Sequence, residues 1–192
     1  MSVIIGLHGA KGSGKDHFYK IVKRAFPLHD VRKIAYADPI KNEVARIFNL
    51  EDEEQYDLFK RNDVTYHIPG RLPQRVHGRQ VVREIGMLMR NYDEDQFTRY
   101  VEKQIASAPA AIWCITDLRF SNELKSIQDS LGGMIIKIKR NGFQYDGHVT
   151  ETELSNDVCD SIIMNDGTLK QYEEKVIATM YAILDSLTHD KE

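Results

Sequence analysis

The sequence predicts an α/β fold built on an open, doubly wound parallel β-sheet. Short apolar runs of strand length alternate along the chain with segments of helical periodicity, which is the pattern of repeated βα units. One of these runs, Val3–Leu7, is almost continuously apolar, as expected for a central parallel strand that is buried on both faces. Five strands with helical crossovers fit the pattern, and ligands bind such sheets at the carboxyl ends of the strands.

The first elements are predicted from turn signals as well as from the apolar runs. A helix over 14–25 follows the first strand and carries its apolar residues at core spacing. The second strand, Lys33–Ala37, ends just before Pro39, which is well placed in the first turn of the next helix. Residues 51–108 then break the alternation, and we interpret them as a helical insertion.

The last part of the chain returns to the alternation of strands and helices. A final amphipathic helix starts at Thr168, where Gln171 completes a capping box. The polar, turn-rich residues 140–156 are interpreted as a lid loop. The remaining elements are predicted as strands at Ala110–Thr116, Met134–Lys139 and Ser161–Met164, with a helix at 122–130.

Composition limits the classes of function. The chain has 192 residues, and its formal net charge of −3 disfavours binding to nucleic acid or to a membrane through bulk charge. Cys114 and Cys159 lie far apart and outside any metal-ligand spacing, which favours free thiols in a reducing cytoplasm. No apolar run approaches ~18 residues, so no membrane span is expected. The sequence predicts a cytoplasmic protein of one domain, and it leaves open whether the protein is a homodimer.

One motif points to phosphate binding. Residues 9–15 match G-x-x-x-x-G-K between a predicted strand and a predicted helix, which is the context that this motif requires. Its glycines let backbone N–H groups converge on phosphate oxygens, and the helix N-terminus adds partial positive charge. Lys15 is expected to reach the β- and γ-phosphates. The residues predicted to bind the nucleotide here are Gly9, Ala10, Lys11, Gly12, Ser13, Gly14, Lys15, Asp16 and His17.

Two carboxylates are candidate ligands for Mg²⁺. Asp16 stands where a serine or threonine usually ligates this cation, and carboxylate oxygens suit it. Asp117 follows a predicted strand and could support Mg²⁺ at the same sheet edge, with Arg119 on phosphate and Glu123 fixing that arginine. The alternatives are structural: Asp16 stabilises a helix N-terminus, Asp117 caps a helix, and Arg119 with Glu123 forms an ordinary ion pair.

A stripe of arginines in the insertion is a candidate site for the phosphate of an acceptor. At ~100° per residue, Arg79, Arg83 and Arg90 fall within about 40° of each other on a helix. Gly86 lies on the same stripe and is expected to let a ligand approach the backbone while guanidinium groups bind phosphate bidentately. A solvated basic face is the alternative, but the excess of basic residues over 60–90 favours the phosphate site.

The predicted lid carries further candidates. Arg140 begins it, and this side chain could stack on the nucleotide base or neutralise the transferred phosphate when the loop closes. His148 and Glu151 lie together in the same loop, although a pair of this kind usually belongs to the surface. The other histidines form no metal-ligand set.

Several blocks of sequence together resemble a known family, the deoxynucleoside monophosphate kinases of tailed bacteriophages, which belong to the P-loop nucleoside monophosphate kinases. Asp16 agrees with the pattern of this family, although His17 replaces a threonine that is common there. The blocks run in order along nearly the whole chain: Gly-Ser-Gly-Lys-Asp at 12–16, Tyr-Ala-Asp-Pro-Ile-Lys at 36–41, Gly-Arg-Gln-Val-Val-Arg-Glu-Ile-Gly at 78–86, Thr-Asp-Leu-Arg-Phe-Ser-Asn-Glu at 116–123, His-Val-Thr-Glu-Thr at 148–152 and Asn-Asp-Gly-Thr-Leu at 165–169.

The resemblance implies a three-layer P-loop kinase fold with an inserted segment for the monophosphate and a lid. It implies that ATP, with Mg²⁺, gives its γ-phosphate to a deoxynucleoside monophosphate, in deoxynucleotide biosynthesis in the cytoplasm of an infected host cell. The residues implied in catalysis are Lys15, Asp16, Asp117, Arg119 and Arg140, and Arg140 also binds ATP from the lid. The residues implied on the acceptor side are Asp38, Lys41, Arg79, Arg83, Gly86, Arg90, Glu123, His148 and Glu151.

Other hypotheses stay open beside this one. The same scaffold could serve a kinase of another small phosphorylated metabolite. A nucleotide-dependent switch or ATPase acting on a partner protein is a different class, and against its GTPase version the chain has no Asn-Lys-x-Asp guanine-binding motif. A nucleic-acid-binding module using the basic residues over 60–90 is disfavoured by the negative net charge.

Overall fold

The structure of the protein is a computed structural model that describes residues 2–66, 74–142 and 156–189. These contain, in chain order, β1 (Val3–His8), α1 (Lys15–Ala25), β2 (Val31–Ile34), α2 (Asp38–Phe48), α3 (Glu53–Arg61), β3 (Asp63–Tyr66), β4 (Gln74–His77), α4 (Gly78–Tyr92), α5 (Gln96–Ala106), β5 (Ile112–Ile115), α6 (Ser121–Lys125), β6 (Met134–Lys139), β7 (Ser161–Met164) and α7 (Leu169–His189). A π-helical turn, Ser126–Ser130, extends α6, and a 3₁₀ turn, Asn156–Val158, precedes β7.

The chain divides into two compact units. The first unit comprises Met1–Tyr36 and Val101–Glu192, and the second comprises Ala37–Tyr100. The second unit therefore includes α2, which lies before the insertion predicted over 51–108. The helix α2 belongs to this unit because the side chain of Ile40 in α2 packs against Gly86 in α4.

The first unit contains a five-stranded parallel sheet, as the sequence predicts, and its strands lie in the order β2-β5-β1-β6-β7. The central strand β1 pairs with β5 and with β6, so that Val3 lies beside Ile112 and Ile5 beside Met134. The chain leaves β1 towards β2 and leaves β5 in the opposite direction towards β6. The crevice outside the carboxyl ends of β1 and β5 is therefore a topological switch point, where sheets of this type bind ligands.

Helices cover both faces of this sheet. On one face, α1 and α7 pack on the strands through a core that includes Leu7, Phe18 and Val176, each of which is fully buried. On the other face, the π-helical turn places Ile127 so close to Gly6 that an added Cβ would lie 2.6 Å from its Cδ1 atom. Each fully buried aliphatic or aromatic side chain contributes about 1.5–3 kcal/mol, so this core holds β1 and the loop that follows it in place.

Several predicted elements differ from the observed ones in ways that have local causes. The strand predicted over Lys33–Ala37 ends at Ile34, because the N–H group of Tyr36 turns away from the sheet to bond a side chain. The helix predicted over 122–130 divides into α6 and the π-helical turn. The capping box is confirmed, since the Thr168 N–H group donates to Gln171 Oε1 (2.8 Å) and the Gln171 N–H group donates to Thr168 Oγ1 (3.3 Å).

The second unit combines the helices α2, α3 and α4 with an antiparallel pair of strands, β3 and β4. This strand pair was not predicted, because its short, mixed sequences lack the apolar run that marked the strands of the main sheet. Phe48 and Phe59 pack with ring centroids 4.7 Å apart and form part of the apolar core of the unit. Pro69, Gly70 and Pro73, which predict a loop within the insertion, lie outside the described residues.

The structure also bears on the predictions about membrane spans and about the two cysteines. None of the helices within the described ranges is both long enough and apolar enough to cross a bilayer. Cys114 and Cys159 are free thiols, and burial raises the pKa of the Cys114 thiol to about 12.

Candidate active site

The loop between β1 and α1 has the backbone geometry that its glycines suggest. Gly9, Gly12 and Gly14 have φ angles of 153°, 82° and 118°, which side chains strongly disfavour. A Cβ on Gly9 would also lie 2.4 Å from the carbonyl oxygen of Ile138 and 2.7 Å from Ser13 Oγ. Backbone conformation therefore favours glycine at all three positions, and close packing also requires it at position 9.

Cationic side chains bind three carbonyl groups of this loop. The ammonium group of Lys15 donates to the carbonyl oxygens of Gly9 (2.5 Å) and Ala10 (2.9 Å), and Arg140 Nη1 donates to that of Gly12 (3.3 Å). Two of the cations predicted to contact the nucleotide, Lys15 and Arg140, are therefore brought to the same loop. The first N–H groups of α1 have no acceptor within the helix and carry the positive end of its dipole, which favours an anion there.

Asp16 lies in the first turn of α1, and its carboxylate is 72% exposed. Lys33, in β2, donates from Nζ to Asp16 Oδ1 at 2.7 Å. Because this pair is exposed, solvent screens it, and its effect is to orient the carboxylate more than to stabilise the fold. This role of Lys33 was not predicted, because the predicted strand begins at Lys33, whereas the observed strand β2, Val31–Ile34, places this lysine near its carboxyl end.

Asp117 follows β5 at the same end of the sheet, as expected. Its Oδ1 atom accepts a hydrogen bond from the N–H group of Tyr36 at 2.7 Å, and Tyr36 follows the neighbouring strand β2. The end of β2 and the segment that follows it thus contact both carboxylates that are predicted to support Mg²⁺, through Lys33 on Asp16 and Tyr36 on Asp117. Within the described part of the chain, no three His, Cys, Asp or Glu side chains form a group that could hold a metal ion.

Glu123 stabilises the turn after β5 from inside the protein. It is 1% exposed, and its Oε2 atom accepts hydrogen bonds from the N–H groups of Arg119 (2.8 Å) and Phe120 (3.1 Å). This corrects the expectation that Glu123 contacts the acceptor, because a carboxylate buried under its own turn presents no surface to a substrate. Its effect on Arg119 passes through the backbone of that half-buried residue.

Tyr36 packs beside this turn and is held as a hydrogen-bond donor. Its hydroxyl group donates to the carbonyl oxygen of Glu123 at 3.2 Å. Burial, together with the nearby carboxylates of Glu123 and Asp117, raises the pKa of Tyr36 well above its usual value. The phenol therefore stays protonated over the whole physiological range of pH.

His8 connects the loop between β1 and α1 with the turn after β5, a role that the sequence did not predict. This last residue of β1 is 1% exposed, and its Nδ1–H group donates to the carbonyl oxygen of Leu118 at 3.0 Å. The hydrogen bond ties the start of the glycine loop to the turn that carries Asp117. No motif marks a histidine of this kind, and only the burial of its strand could have suggested a structural role.

The second unit carries six of the nine residues predicted on the acceptor side. Lys41 and Asp38 form an ion pair of 3.2 Å at the start of α2, and Arg79 and Arg83 are half-buried on α4. Arg90 lies over the ring of Phe97 with its guanidinium carbon 4.7 Å from the ring centroid, so this residue has a packing role in addition to its charge.

Gly86 has a different environment from the one expected. It is buried, and an added Cβ would lie 2.9 Å from Ile40 Cδ1. Close packing of α4 on α2 explains the glycine, and this corrects the expectation that a ligand approaches the backbone there. His148, Glu151 and most of the predicted lid lie outside the described residues.

Comparisons with known proteins bear on the family and on the fold. The family described as deoxynucleotide monophosphate kinase matches residues 84–176. A protein of Acanthamoeba polyphaga mimivirus, provisionally named a deoxynucleotide monophosphate kinase, is 30% identical over 190 residues, which cover 92% of this chain and 95% of that protein. Among solved structures, dephospho-CoA kinase from Campylobacter jejuni superimposes with a TM-score of 0.52 and 14% identity over 95% of this chain and 98% of that chain, which supports the fold alone.

The buried carboxylate of Glu123 gives a prediction for stability. Glu123→Ala leaves the N–H groups of Arg119 and Phe120 without this acceptor in a buried turn, so we expect the free energy of unfolding to fall by about 2–3 kcal/mol. Glu123→Gln keeps an acceptor oxygen and should recover a large part of that loss. Glu174→Ala, on the exposed face of α7, is the control and should change stability by less than about 0.5 kcal/mol. Urea denaturation measures all three, and equal stability of Glu123→Ala and the control would contradict the assignment.

Proposed function

Because this chain belongs to the deoxynucleotide monophosphate kinase family, and is thus a kinase that acts on nucleotides, we propose that it transfers the γ-phosphate of ATP to a deoxynucleoside 5′-monophosphate. The products are ADP and the deoxynucleoside diphosphate. The observation that carries the proposal is the glycine loop 9–14 at the switch point of the sheet, with Lys15 and Arg140 both bound to it. Phosphoryl transfer depends mainly on positioning and charge neutralisation, which such a loop with two cations supplies.

The donor side of the proposed reaction uses the loop and its flanking cations. N–H groups of the loop and of the first turn of α1 bind the phosphates of ATP, and Lys15 exchanges its two loop carbonyls for phosphate oxygens. Arg140 lies close enough to donate to the loop, and it neutralises charge on the phosphate as it is transferred. Arg119, on the turn held by Glu123, adds a further positive charge.

Asp16 and Asp117 are the proposed ligands of Mg²⁺, directly or through water. The residues fit this cation because it prefers carboxylate oxygens and is often held by only one or two protein carboxylates together with the phosphates of a nucleotide. Asp16 supplies an exposed carboxylate beside the loop, and Lys33 fixes its direction. When bound, Mg²⁺ neutralises negative charge on the β- and γ-phosphate oxygens.

The acceptor side of the proposed reaction uses the second unit. Arg79, Arg83 and Arg90 bind the phosphate of the monophosphate, and Asp38 with Lys41 contacts its nucleoside part. An oxygen of this phosphate attacks the γ-phosphorus, a new P–O bond forms, and the bond to the bridging oxygen of ADP breaks. The attacking oxygen is already anionic, so no strong general base is needed.

The loop lysine gives the first test of this function. Lys15→Ala should abolish ATP turnover in a coupled assay that detects ADP, because it removes a charge that neutralises the transferred phosphate. Lys20→Ala, also on α1 but exposed, is the matched control and should keep the activity of the unchanged protein. Normal turnover in Lys15→Ala would contradict the assignment of the donor site.

A panel of phosphate acceptors, assayed in the same way, separates the proposal from its alternatives. Turnover only with deoxynucleoside monophosphates supports it, whereas turnover only with another phosphorylated metabolite indicates a different kinase. Rapid phosphate release without any acceptor indicates a switch or an ATPase. The same panel identifies the accepted bases.

The arginines of α4 give a separate prediction for the acceptor. Arg79→Ala should raise KM for the monophosphate by about tenfold or more, because a charge-assisted hydrogen bond to phosphate is worth about 1.5–3 kcal/mol. KM for ATP should stay within about twofold. Arg46→Ala, which removes an exposed arginine of the same unit paired with Glu43, is the control and should change neither constant. An unchanged KM for the monophosphate in Arg79→Ala would remove this residue from the acceptor site.

A further inference from the structure

The carbonyl groups at the end of the glycine loop are held by two side chains from the carboxyl-terminal part of the first unit. Asn165 Nδ2 donates to the carbonyl oxygen of Ser13 at 2.8 Å. The hydroxyl group of Tyr172, on α7, donates to the carbonyl oxygen of Gly14 at 3.0 Å. Neither residue belongs to the glycine motif, and more than 150 positions separate each from the carbonyl it binds, with sequence separations of 152 and 158.

Peptide geometry turns these two contacts into a constraint on phosphate binding. In a planar trans peptide, the C=O group of one residue and the N–H group of the next point in opposite directions. Fixing the carbonyl of Ser13 therefore fixes the N–H group of Gly14, and fixing the carbonyl of Gly14 fixes the N–H group of Lys15. These N–H groups open α1, where phosphate binds in loops of this kind.

The glycine at position 14 fits closely against both side chains. A Cβ built on Gly14 would lie 2.6 Å from Asn165 Nδ2 and 3.2 Å from the Tyr172 hydroxyl oxygen. The space that a side chain would need is therefore occupied by the two donors. This packing explains the second glycine of the motif by a contact, in addition to its φ of 118°.

Both donors are themselves firmly placed. Tyr172 is 2% exposed in the core between α7 and the sheet, and burial raises the pKa of its phenol above the usual value, so it remains a donor. The backbone N–H group of Asn165 donates to the carbonyl oxygen of Lys139 at 2.7 Å, which fixes the residue at the end of β7. The next residue, Asp166, accepts the N–H group of Asn141 at 2.6 Å and so holds the chain that follows Arg140.

We propose that Asn165 and Tyr172 are positioning residues that orient the phosphate-binding N–H groups of Gly14 and Lys15 from the carbonyl side of the loop. The inference rests on the proposed function, because it assigns these two residues to the binding of the phosphates of ATP. They do not touch the phosphates. They act by holding the carbonyl sides of two peptide groups, whose N–H sides, on Gly14 and Lys15, contact the phosphates.

The test removes each hydrogen bond in turn, and Tyr172→Phe does so with little change in shape. Tyr172→Phe deletes only the hydroxyl group, and Asn165→Ala deletes the amide. Tyr181→Phe is the matched control, since it makes the same change on an exposed tyrosine of α7 whose ring contacts Phe26. The probe is inorganic tripolyphosphate, whose dissociation constant is measured by calorimetry with the full chain, so the result depends neither on the acceptor nor on the base of ATP.

Each of the two variants should weaken tripolyphosphate binding and raise KM for ATP by a similar factor, about fivefold for one lost hydrogen bond. KM for the monophosphate should not change, and Tyr181→Phe should behave like the unchanged protein. Unchanged tripolyphosphate binding in Tyr172→Phe would overturn the inference, and so would a rise in KM for ATP that tripolyphosphate does not share. Failure of the unchanged chain to bind tripolyphosphate would overturn it as well.

The outcome also separates this inference from the proposed function. If the unchanged chain binds tripolyphosphate but phosphorylates no deoxynucleoside monophosphate, the proposed reaction is wrong while the binding comparison still tests Asn165 and Tyr172. If the kinase reaction is found and both variants match the unchanged chain, the reaction stands and the positioning role is wrong.

Discussion

The direction of the carbonyl groups in the glycine loop is the constraint on which the rest of the site depends. A loop that binds phosphate through its N–H groups must turn its carbonyl oxygens elsewhere, because an oxygen facing the ligand would repel it. Side chains from three places in the chain bind these oxygens: Lys15 in α1, Arg140 after β6, and Asn165 with Tyr172 beyond β7. The loop is therefore shaped by the tertiary fold as much as by its own glycines.

The turn after β5 is likewise held by residues from other parts of the first unit. His8 binds the carbonyl of Leu118, Tyr36 binds the carboxylate of Asp117, and Glu123 accepts two N–H groups of the turn. Buried polar groups are costly unless they are hydrogen-bonded, so each of these contacts restricts the turn to one conformation. At this sheet edge, Asp16 and Asp117 are both held by residues at or just after the end of β2, which suits chemistry that depends on position more than on proton transfer.

The sequence predicted the sheet and the loop well because each has a local signal. Five strand-length apolar runs were enough to predict an open parallel sheet, and the glycine motif was enough to predict a site for the phosphates of a nucleotide. The roles of Glu123, Gly86 and Tyr172 could not be predicted, because they depend on which residues meet in space. Gly86, on the basic stripe of α4, could serve either the approach of a ligand or the close packing of two helices. Only its contact with Ile40 decides for helix packing.

The most direct test of the central claim follows the phosphate itself. The protein is incubated with ATP labelled with ³²P in the γ-phosphate, Mg²⁺ and a mixture of deoxynucleoside monophosphates, and the products are separated by chromatography. We expect the label to appear in a deoxynucleoside diphosphate, with little in free phosphate. Label that appears only in free phosphate, at a rate that the monophosphates do not change, would contradict it.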